Sequence, residues 1–214
     1  MTRVVCTADI HEHLPEIPEC DLLLIAGDVS FALKGDLATE HAFLEGPFAE
    51  WLERVPAAET VLIAGNHDQS IEAWGVPAGL RCHYLEDAAA DLCGLKVWGT
   101  PWQPWFFDWA FNLHEPDLAP KWRLIPEGTD VLVLHGPPHC YGDGVPEGGG
   151  IRRTGSPSLL ERIEQVRPRL VVFGHIHEGR GEWRLGEIVL ANVSIVNAAY
   201  KHVHPVWVYE LEGR

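Results

Sequence analysis

Four short apolar segments of this chain each end in residues that can bind a metal or a phosphate. They lie at 22–26, 60–64, 131–134 and 170–173, and they run into Gly-Asp, Gly-Asn-His-Asp, His-Gly-Pro-Pro and Gly-His-Ile-His. Continuous apolar runs of this length, rich in valine, leucine and isoleucine, are typical of strands buried on both faces. Strands of that kind predict a layered α/β domain.

The N-terminal segment predicts a further strand. Residues 3–8 have strand character and run directly into Asp9-Ile10-His11. No charged region followed by an apolar stretch and a small-residue cleavage site is visible there, so we expect a cytoplasmic protein without a signal peptide. The longest apolar runs are too short to cross a bilayer, so no membrane partner is expected.

The cysteines fit a cytoplasmic protein. Their number is odd and no two are spaced like a zinc ribbon, so we expect reduced structural thiols. They are Cys6, Cys20, Cys82, Cys93 and Cys140.

Helices are predicted between several strands. Segment 37–55 has helical spacing, although Gly46-Pro47 is expected to interrupt it. Its expected buried stripe is Phe43, Phe48, Trp51, Leu52 and Val55. Segment 156–166 is a cleaner helix, because Pro157 suits a first helical position. The residues expected to face inward there are Leu159, Leu160 and Ile163.

The C-terminal part differs from the rest. Segments 182–185, 187–194 and 205–211 predict successive strands with tight turns, so the sheet is expected to finish with antiparallel members. A length of 214 residues suits one domain with a substantial core, and we assign 1–214 to a single domain.

Two segments are expected to form long loops. Residues 99–122 are rich in tryptophan and proline, and they predict either a functional loop, with Trp102 as a substrate contact, or an aromatic plug over one edge of the core. Residues 140–154 contain three consecutive glycines followed by Arg152 and Arg153. These arginines are candidate phosphate contacts, with ordinary surface arginines as the alternative.

The net charge of −15 bears on the partners. Affinity for nucleic acid comes mostly from cationic neutralisation of phosphates, so no long nucleic acid is expected as a partner. A small phosphate ester remains as the expected substrate. Part of the acidic excess fits metal ligands, whose charge a bound cation would offset.

The polar strand ends supply what phosphate-ester hydrolysis needs. Two metal ions roughly 3.5–4 Å apart clamp phosphoryl oxygens and lower the pKa of a bridging water. Such a site combines carboxylates with imidazoles. Asp9 and His11 are one residue apart, so both side chains would point the same way in an extended segment, and Asp28 follows a glycine that permits a sharp turn. The other candidates are Asn66, His67, His135, His175 and His177. Strand ends form the ligand crevice of open α/β sheets.

In combination, these segments resemble the calcineurin-like metallophosphoesterase superfamily. The resemblance is carried by Asp9-x-His11, Gly27-Asp28, Gly65-Asn66-His67-Asp68, His135 and Gly174-His175-x-His177. It implies a four-layer sandwich of two mixed sheets flanked by helices, with a binuclear metal site at the strand ends.

The resemblance also implies a role for each residue. The first metal would be held by Asp9, His11, Asp28 and His177, and the second by Asp28, Asn66, His135 and His175. Asp28 would bridge them. His67 would contact the phosphate, together with Asn66, and would protonate the leaving oxygen, while Asp68 would orient His67.

A narrower resemblance is to the vertebrate metallophosphoesterase-domain-containing brain proteins and their bacterial relatives. It rests on 101–106, 111–113, 125–130, 135–138 and 173–179. That subfamily is linked to phosphodiester hydrolysis, including cyclic nucleotides. Some members carry Gly in place of the first histidine of the last pair, whereas this chain keeps His175, so a competent centre is expected. Asp68 stands where those relatives usually carry Glu.

The resulting hypothesis is a phosphodiesterase for small substrates, with in-line attack by a metal-bridging hydroxide and His67 as general acid. Its alternatives are a phosphomonoesterase with the same metals, a nuclease, and a non-catalytic scaffold that binds metal or nucleotide. A serine hydrolase is disfavoured because no Gly-x-Ser-x-Gly segment is present. Manganese is the preferred metal, with Fe, Zn, Co or Ni as alternatives. A monomer or a homodimer is expected.

Overall fold

The computed structural model describes residues 1–31 and 36–212. Its first large sheet contains Thr2–Thr7 (β1), Cys20–Ala26 (β2), Ala57–Ile63 (β3), His83–Tyr84 (β4) and Trp207–Leu211 (β15). The strand order in this five-stranded sheet is β15-β1-β2-β3-β4. Strands β1 to β4 are parallel, and β15 pairs antiparallel with β1 at the edge.

The second large sheet has six strands. They are Ala88–Leu92 (β5), Leu95–Thr100 (β6), Val131–Leu134 (β9), Leu170–Phe173 (β12), Gly181–Leu185 (β13) and Ile188–Asn192 (β14). Their order is β13-β14-β12-β9-β6-β5. The four inner strands are parallel, and β5 and β13 are antiparallel edge strands.

Two small sheets lie outside these. Gln103–Pro104 (β7) pairs with Asn112–Leu113 (β8), and Gly144–Glu147 (β10) forms a hairpin with Gly150–Arg153 (β11). The hairpin corrects the expectation of a loop over 140–154, since Gly148 and Gly149 adopt positive φ and form its turn.

The helices are short. They are Leu37–Phe43 (α1), Ala49–Arg54 (α2), Gln69–Trp74 (α3), Glu115–Trp122 (α4) and Pro157–Val166 (α5), with a π-helical turn at Leu44–Phe48 and a 3₁₀ turn at His177–Gly179. The Ser156 side chain caps α5 by accepting a hydrogen bond from the Leu159 amide. Helix α4 lies inside the segment 99–122, which was expected to be a loop throughout.

The elements pack as four layers. The inner faces of the two large sheets meet in a core that includes Val4, Leu24, Val61, Val133 and Val172. The outer face of the first sheet packs against the α1–α2 segment and α3, and the outer face of the second packs against α4 and α5. Since a sheet apolar on both faces needs cover on both sides, this arrangement confirms the predicted four-layer α/β sandwich.

The predicted interruption at Gly46-Pro47 takes an unexpected form. The chain continues from α1 to α2 through the π-helical turn that contains Pro47. The wider turn accommodates a proline without ending the helix. It also changes which residues face the core, because Leu44 is fully buried while Phe43 is only partly buried.

The last three predicted strands do not complete one sheet. β13 and β14 form an antiparallel pair in the second sheet, whereas β15 joins the first sheet beside β1. The hydrophobic pattern gives strand character but not the partner, because pairing between distant segments is decided by tertiary packing.

Two further expectations can be compared with the structure. All five cysteines are free, as predicted. Within residues 1–31 and 36–212, no helix combines the length and the apolar character that a membrane-spanning helix needs.

Candidate metal centre

The predicted metal ligands come together where strands of the two large sheets end. Asp9 follows β1, Asp28 follows β2, Asn66 follows β3, His135 follows β9 and His175 follows β12. The loops that carry them are bonded to one another. The amide of Asp9 donates to the Gly27 carbonyl over 3.0 Å, and the amide of Gly174 donates to the His135 carbonyl over 3.0 Å. Backbone hydrogen bonds therefore hold the loops that carry the candidate ligands next to one another.

The ligand loops have an unusual backbone conformation. Asp9, His11, Asp28 and His175 adopt φ values of 53°, 43°, 53° and 68°. The segment 9–11 is therefore not extended, and the argument that alternation points Asp9 and His11 the same way was wrong. Both side chains reach one cluster because the chain turns in the left-handed region. Such strained positions concentrate at functional sites.

Two glycines permit the close approach of the loops. A β-carbon on Gly65 would collide with the Asp28 carboxylate and the His135 ring, and one on Gly174 would collide with the Asp9 carboxylate. A glycine at each position lets backbone lie against a carboxylate. The first residue of the Gly-Asn-His-Asp segment and of the Gly-His-Ile-His segment is therefore a glycine because no larger residue fits there.

One group of donor atoms corresponds to the first predicted site. Asp9 Oδ1 lies 3.6 Å from His177 Nε2, and Asp28 Oδ2 lies 3.9 Å from His11 Nε2. The candidate ligand atoms of Asp9, His11 and His177 all lie within 4.8 Å of one another. The structure thus brings together the residues predicted for the first metal.

A second group lies on the other side of Asp28. Asn66 Oδ1 is 2.7 Å from His175 Nδ1 and 2.9 Å from His135 Nε2. Asp28 Oδ1 lies 3.4 Å from His135 Nε2. The two oxygens of Asp28 therefore face different histidines, which is the geometry expected of a bridging carboxylate.

Backbone carbonyls orient three of the histidines. His11 Nδ1 bonds to the Ser30 carbonyl over 3.0 Å, His135 Nδ1 to the Ala26 carbonyl over 3.0 Å, and His177 Nδ1 to the Asn197 carbonyl over 3.2 Å. Because a carbonyl only accepts, each of these Nδ1 atoms carries a proton, and Nε2 would present its lone pair to a cation once the ring is neutral. Sequence reasoning missed these partners, since every residue has a carbonyl.

The donor set fits a pair of divalent cations. His11 Nε2 is buried and has no hydrogen-bond partner among the described residues, although its ring is held in place by Ser30. A buried nitrogen in this state is costly unless something binds it. Metal-binding histidines commonly bond through the other nitrogen to a carbonyl, as these do.

The ionisation of the buried carboxylates also fits a cation site. Burial alone would raise the pKa of Asp9 and of Asp28, but His177 holds the pKa of Asp9 below its usual value, and His135 does so for Asp28. Burial opposes protonation of His135, but attraction to Asp28 outweighs it and raises the His135 pKa to about 9. Burial, with repulsion from His135, lowers the pKa of His175 to about 3. Ionised carboxylates beside imidazoles suit a cation.

His67 lies at the edge of the same cluster. Its amide donates to Asp28 Oδ1 over 2.8 Å, and its ring centroid is 4.6 Å from that of His11 and 4.1 Å from that of Trp109. The candidate ligand atoms of His11, Asp28 and His67 lie within 4.8 Å of one another. Burial lowers the pKa of His67.

The predicted contact between Asp68 and the His67 ring was wrong. The Asp68 carboxylate accepts hydrogen bonds from the amides of Asp28, Val29, Ser30 and Gly65 and from the Ser30 hydroxyl. His67 Nδ1 has no hydrogen-bond partner among the described residues. Backbone donors on two adjacent loops compete for the carboxylate, so Asp68 ties those loops together rather than orienting His67.

A cavity of about 300 Å³ opens beside the cluster. Asp28, Asn66 and His67 form part of its wall, and Arg152 reaches it from the β10–β11 hairpin. These three predicted substrate contacts, Asn66, His67 and Arg152, therefore line one space. Trp105, Phe106, Trp109 and Tyr200 add an aromatic wall.

The other two predicted substrate contacts, Trp102 and Arg153, do not join these three at the cavity. Neither is among the described residues that line the cavity. Trp102 Nε1 donates to Asp87 over 3.1 Å, and Lys121 lies over the indole. Arg153 bonds to the buried Asp143 over 2.6 Å at the base of the hairpin. Both positions are tied down by other partners.

Segment 99–122 therefore combines the two interpretations left open for it. Trp102 packs against the core, whereas Trp105 and Phe106 line the cavity. Trp109 and Tyr200 were not identified from the sequence. The aromatic composition of the segment pointed to Trp109 only in a general way, and no motif pointed to Tyr200.

Comparisons with known proteins agree with this geometry. The model of the calcineurin-like phosphoesterase family matches residues 2–179. Metallophosphoesterase domain-containing protein 1 from Homo sapiens is 36% identical, and the match covers 98% of this chain and 71% of the relative. The same protein from Mus musculus is equally similar.

Two solved structures share the fold at low identity. Phosphopantetheinyl hydrolase (PptH) from Mycobacterium tuberculosis superposes with a TM-score of 0.58 at 13% identity, covering 92% of this chain and 90% of that one. TT1561 from Thermus thermophilus gives a TM-score of 0.57 at 14% identity, with coverages of 97% and 98%. The family implies a binuclear divalent metal site, for which this structure has candidate ligand clusters. The chain belongs to the calcineurin-like phosphoesterase family and is a metal-dependent phosphoesterase.

Proposed function

We propose that the protein is a phosphodiesterase that hydrolyses small phosphodiesters, with cyclic nucleotides as the first candidates. The observation that carries the two-metal part of this proposal is the position of Asp28, whose oxygens face His11 on one side and His135 on the other. Two divalent cations bound on either side would neutralise the phosphoryl oxygens and supply the nucleophile from water.

The residues of the chain have distinct tasks in this proposal. One cation would be held by Asp9, His11, Asp28 and His177, and the other by Asp28, Asn66, His135 and His175. Carbonyl groups of residues 26, 30 and 197 fix three of the imidazoles, so the donor atoms are in place before a ligand arrives. Pre-organised donors lower the cost of binding.

His67 supplies the proton in this mechanism. Its ring lines the cavity beside Asp28 and Asn66, where the leaving oxygen of a bound ester would lie. Burial lowers the pKa of the ring, which makes the protonated form a stronger acid but reduces the fraction of rings that carry the proton at neutral pH. Arg152, on the exposed face of the hairpin, attracts the remaining phosphate charge.

The size and charge of the cavity support a small substrate. A cavity of about 300 Å³ is at the lower limit of the usual range for ligand pockets. The chain carries a net charge of −15, which repels long polyanions, so a nuclease is disfavoured. The aromatic wall next to the metal cluster gives the organic part of a diester an apolar surface.

Manganese is the metal that we propose, because mixed imidazole, carboxylate and amide ligands accept it and cellular availability decides among first-row ions. We also propose a reducing compartment, the cytoplasm, for this protein. The five free cysteines support that location.

A substrate panel tests the proposal. The protein is loaded with Mn²⁺, and turnover of an aryl phosphodiester, the matching monoester and 2′,3′- and 3′,5′-cyclic nucleotides is compared. We expect kcat/KM to favour the diesters. A large preference for the monoester would establish the phosphomonoesterase alternative. Metal binding without turnover of any ester would establish the non-catalytic scaffold.

A further inference from the structure

The way in which the His67 ring is held calls for an explanation. Asp68 is fully engaged by backbone donors and by Ser30, and His67 Nδ1 has no hydrogen-bond partner among the described residues. A general acid needs a fixed ring, because a small misplacement of the reacting atoms slows the reaction strongly. Something other than a carboxylate must therefore restrict this imidazole.

Ring contacts provide that restriction. The Trp109 indole meets the His67 ring edge-on, with centroids 4.1 Å apart and an interplanar angle of 83°. His11 meets the same ring at 4.6 Å and 82°. Edge-to-face contacts at these distances are directional and favourable. Two other rings lie farther from it, Tyr200 at 5.8 Å and Phe31 at 6.1 Å. Since His11 is itself fixed by Ser30, Trp109, whose ring is the nearest of the four, is the contact best placed to limit how far the His67 ring turns.

Trp109 is fastened to the loop that carries His67. The amide of the next residue, Ala110, donates to the Asn66 carbonyl over 3.3 Å. The amide of Phe111 donates to Glu72 on α3 over 2.7 Å. The Gln103 side chain donates to the Ala110 carbonyl over 3.0 Å. These hydrogen bonds tie the residues that follow Trp109 to the His67 loop and to α3, which places the indole against the His67 ring.

We propose that Trp109 is the positioning residue of His67: it holds the imidazole at the angle from which the ring delivers its proton to the leaving oxygen. The proposal rests on the proposed role of His67. It assigns to an indole the task that sequence reasoning gave to Asp68. The contribution of Trp109 to kcat then depends on two things. One is the presence of His67, and the other is how strongly the leaving group needs a proton.

The kinetic experiment compares Trp109→Ala, Trp109→Phe, His67→Ala and the double variant Trp109→Ala/His67→Ala, all loaded with Mn²⁺. Diesters with a good leaving group, 4-nitrophenolate, and with a poor one, an alkoxide, serve as substrates. We expect Trp109→Ala to lower kcat for the poor leaving group about 10- to 100-fold more than kcat for the good one. KM should rise similarly for both substrates, because Trp109 also lines the cavity. Trp109→Phe restores much of the loss, and the double variant is no slower than His67→Ala.

An NMR experiment tests the contact without catalysis. The His67 ring protons are assigned in the metal-free protein by their loss in His67→Ala. We expect the indole to shift them, and the shift to change in Trp109→Ala while it stays unchanged in Trp74→Ala, which removes an exposed tryptophan at the end of α3.

The outcomes distinguish the positioning role of Trp109 from the proposed role of His67 as general acid, on which it rests. Equal losses in kcat for both leaving groups, or losses that multiply in the double variant, would overturn the positioning role of Trp109 and leave it as a wall of the cavity alone. Unchanged His67 ring shifts in Trp109→Ala would also overturn it. If His67→Ala itself shows no leaving-group dependence while the ring shifts respond to Trp109, the proposed role of His67 fails and the indole contact stands as a structural one.

Discussion

Oδ1 of Asp28 lies 3.4 Å from Nε2 of His135. The other oxygen of the same carboxylate lies 3.9 Å from Nε2 of His11. Asp28 is fully buried, and its position is fixed by a left-handed backbone between Gly27 and Val29. One carboxylate thus connects the two groups of candidate ligands, and its removal should affect both.

Asp28→Asn is expected to weaken both metal sites, because an amide offers one oxygen and no charge. His175→Ala is the matched variant, since His175 belongs to the second group alone. We expect metal analysis after desalting to show loss of both ions in Asp28→Asn and of one in His175→Ala, with metal affinity lowered about 100-fold or more. Wild-type affinity at either site in Asp28→Asn would contradict a bridging role.

His67→Ala is expected to retain both metals and to lose activity selectively. General acid catalysis contributes about 10²- to 10⁴-fold where the leaving group needs a proton. The kcat for alkyl diesters should therefore fall by that order, while kcat for a 4-nitrophenyl diester changes little. Measured metal content is the control. A lower metal content in this variant would assign His67 to the metals instead.

Asp68→Ala is expected to act on stability and not on proton delivery. Its carboxylate accepts bonds from the amides of Asp28, Val29, Ser30 and Gly65, and these donors would be left buried without a partner. We expect the free energy of unfolding of the metal-free protein to fall by about 3 kcal/mol in urea. Asp36→Ala, which removes the exposed cap of α1, should cost about 1 kcal/mol. A leaving-group dependence like that of His67→Ala would restore the original prediction for Asp68.

Arg152 and Arg153 are adjacent and should behave differently. Arg152 reaches the cavity and pairs only with the exposed Glu147, at 3.1 Å, among the ion pairs of the described residues. Arg152→Ala should raise KM about tenfold with a smaller effect on kcat. Arg153→Ala removes the bond to Asp143 at the base of the hairpin, so it should lower stability more than it raises KM. Equal effects of both variants on KM would remove Arg152 from substrate binding.

Glu40 should make stability depend on pH. It is 1% exposed, and burial raises the pKa of its carboxyl even though Ser70 donates to one of its oxygens. The folded protein then binds the proton more tightly than the unfolded chain. Stability is therefore lost as pH rises from the ordinary glutamate pKa through the raised one.

Glu40→Gln tests this directly, because an amide of the same shape does not titrate. The urea midpoint of the variant, relative to that of the wild type, should rise as pH increases above the ordinary glutamate pKa of about 4. Glu45→Gln, on the exposed side of the same helical segment, is the control and should show no such trend. A difference between Glu40→Gln and wild type that is constant with pH would show that Glu40 has an ordinary pKa in the folded protein.

Much of the fold and of the ligand set could be predicted from the sequence because both depend on local pattern. Apolar runs of four or five residues predicted the buried strands, and the residues that follow them predicted the candidate ligands. The strand ends of an α/β sheet lie at one edge, so residues far apart in sequence could be placed together. Asp9, Asp28 and His135 meet for this reason.

Only the tertiary structure decided how the polar atoms are paired. Asp68 follows His67 directly, yet its carboxylate turns toward amides on a loop about forty residues earlier. The carbonyls that orient His11 and His177 have no signature in the sequence, since each belongs to an ordinary backbone unit of a distant loop. The direction of a hydrogen bond depends on which buried donors have no other partner, and that is known only after the loops have packed.

The aromatic residues show the same division. The composition of 99–122 indicated an aromatic surface, but not which ring would face the cavity. Trp102 was the predicted contact, and it is held away by Asp87 and Lys121, while Trp109 lies against His67. The sequence by itself determined the residue types and the strand ends at which chemistry occurs. The long-range hydrogen bonds that fix the loops determined which side chains face the reacting atoms, because loop conformation follows from those contacts and not from local propensity.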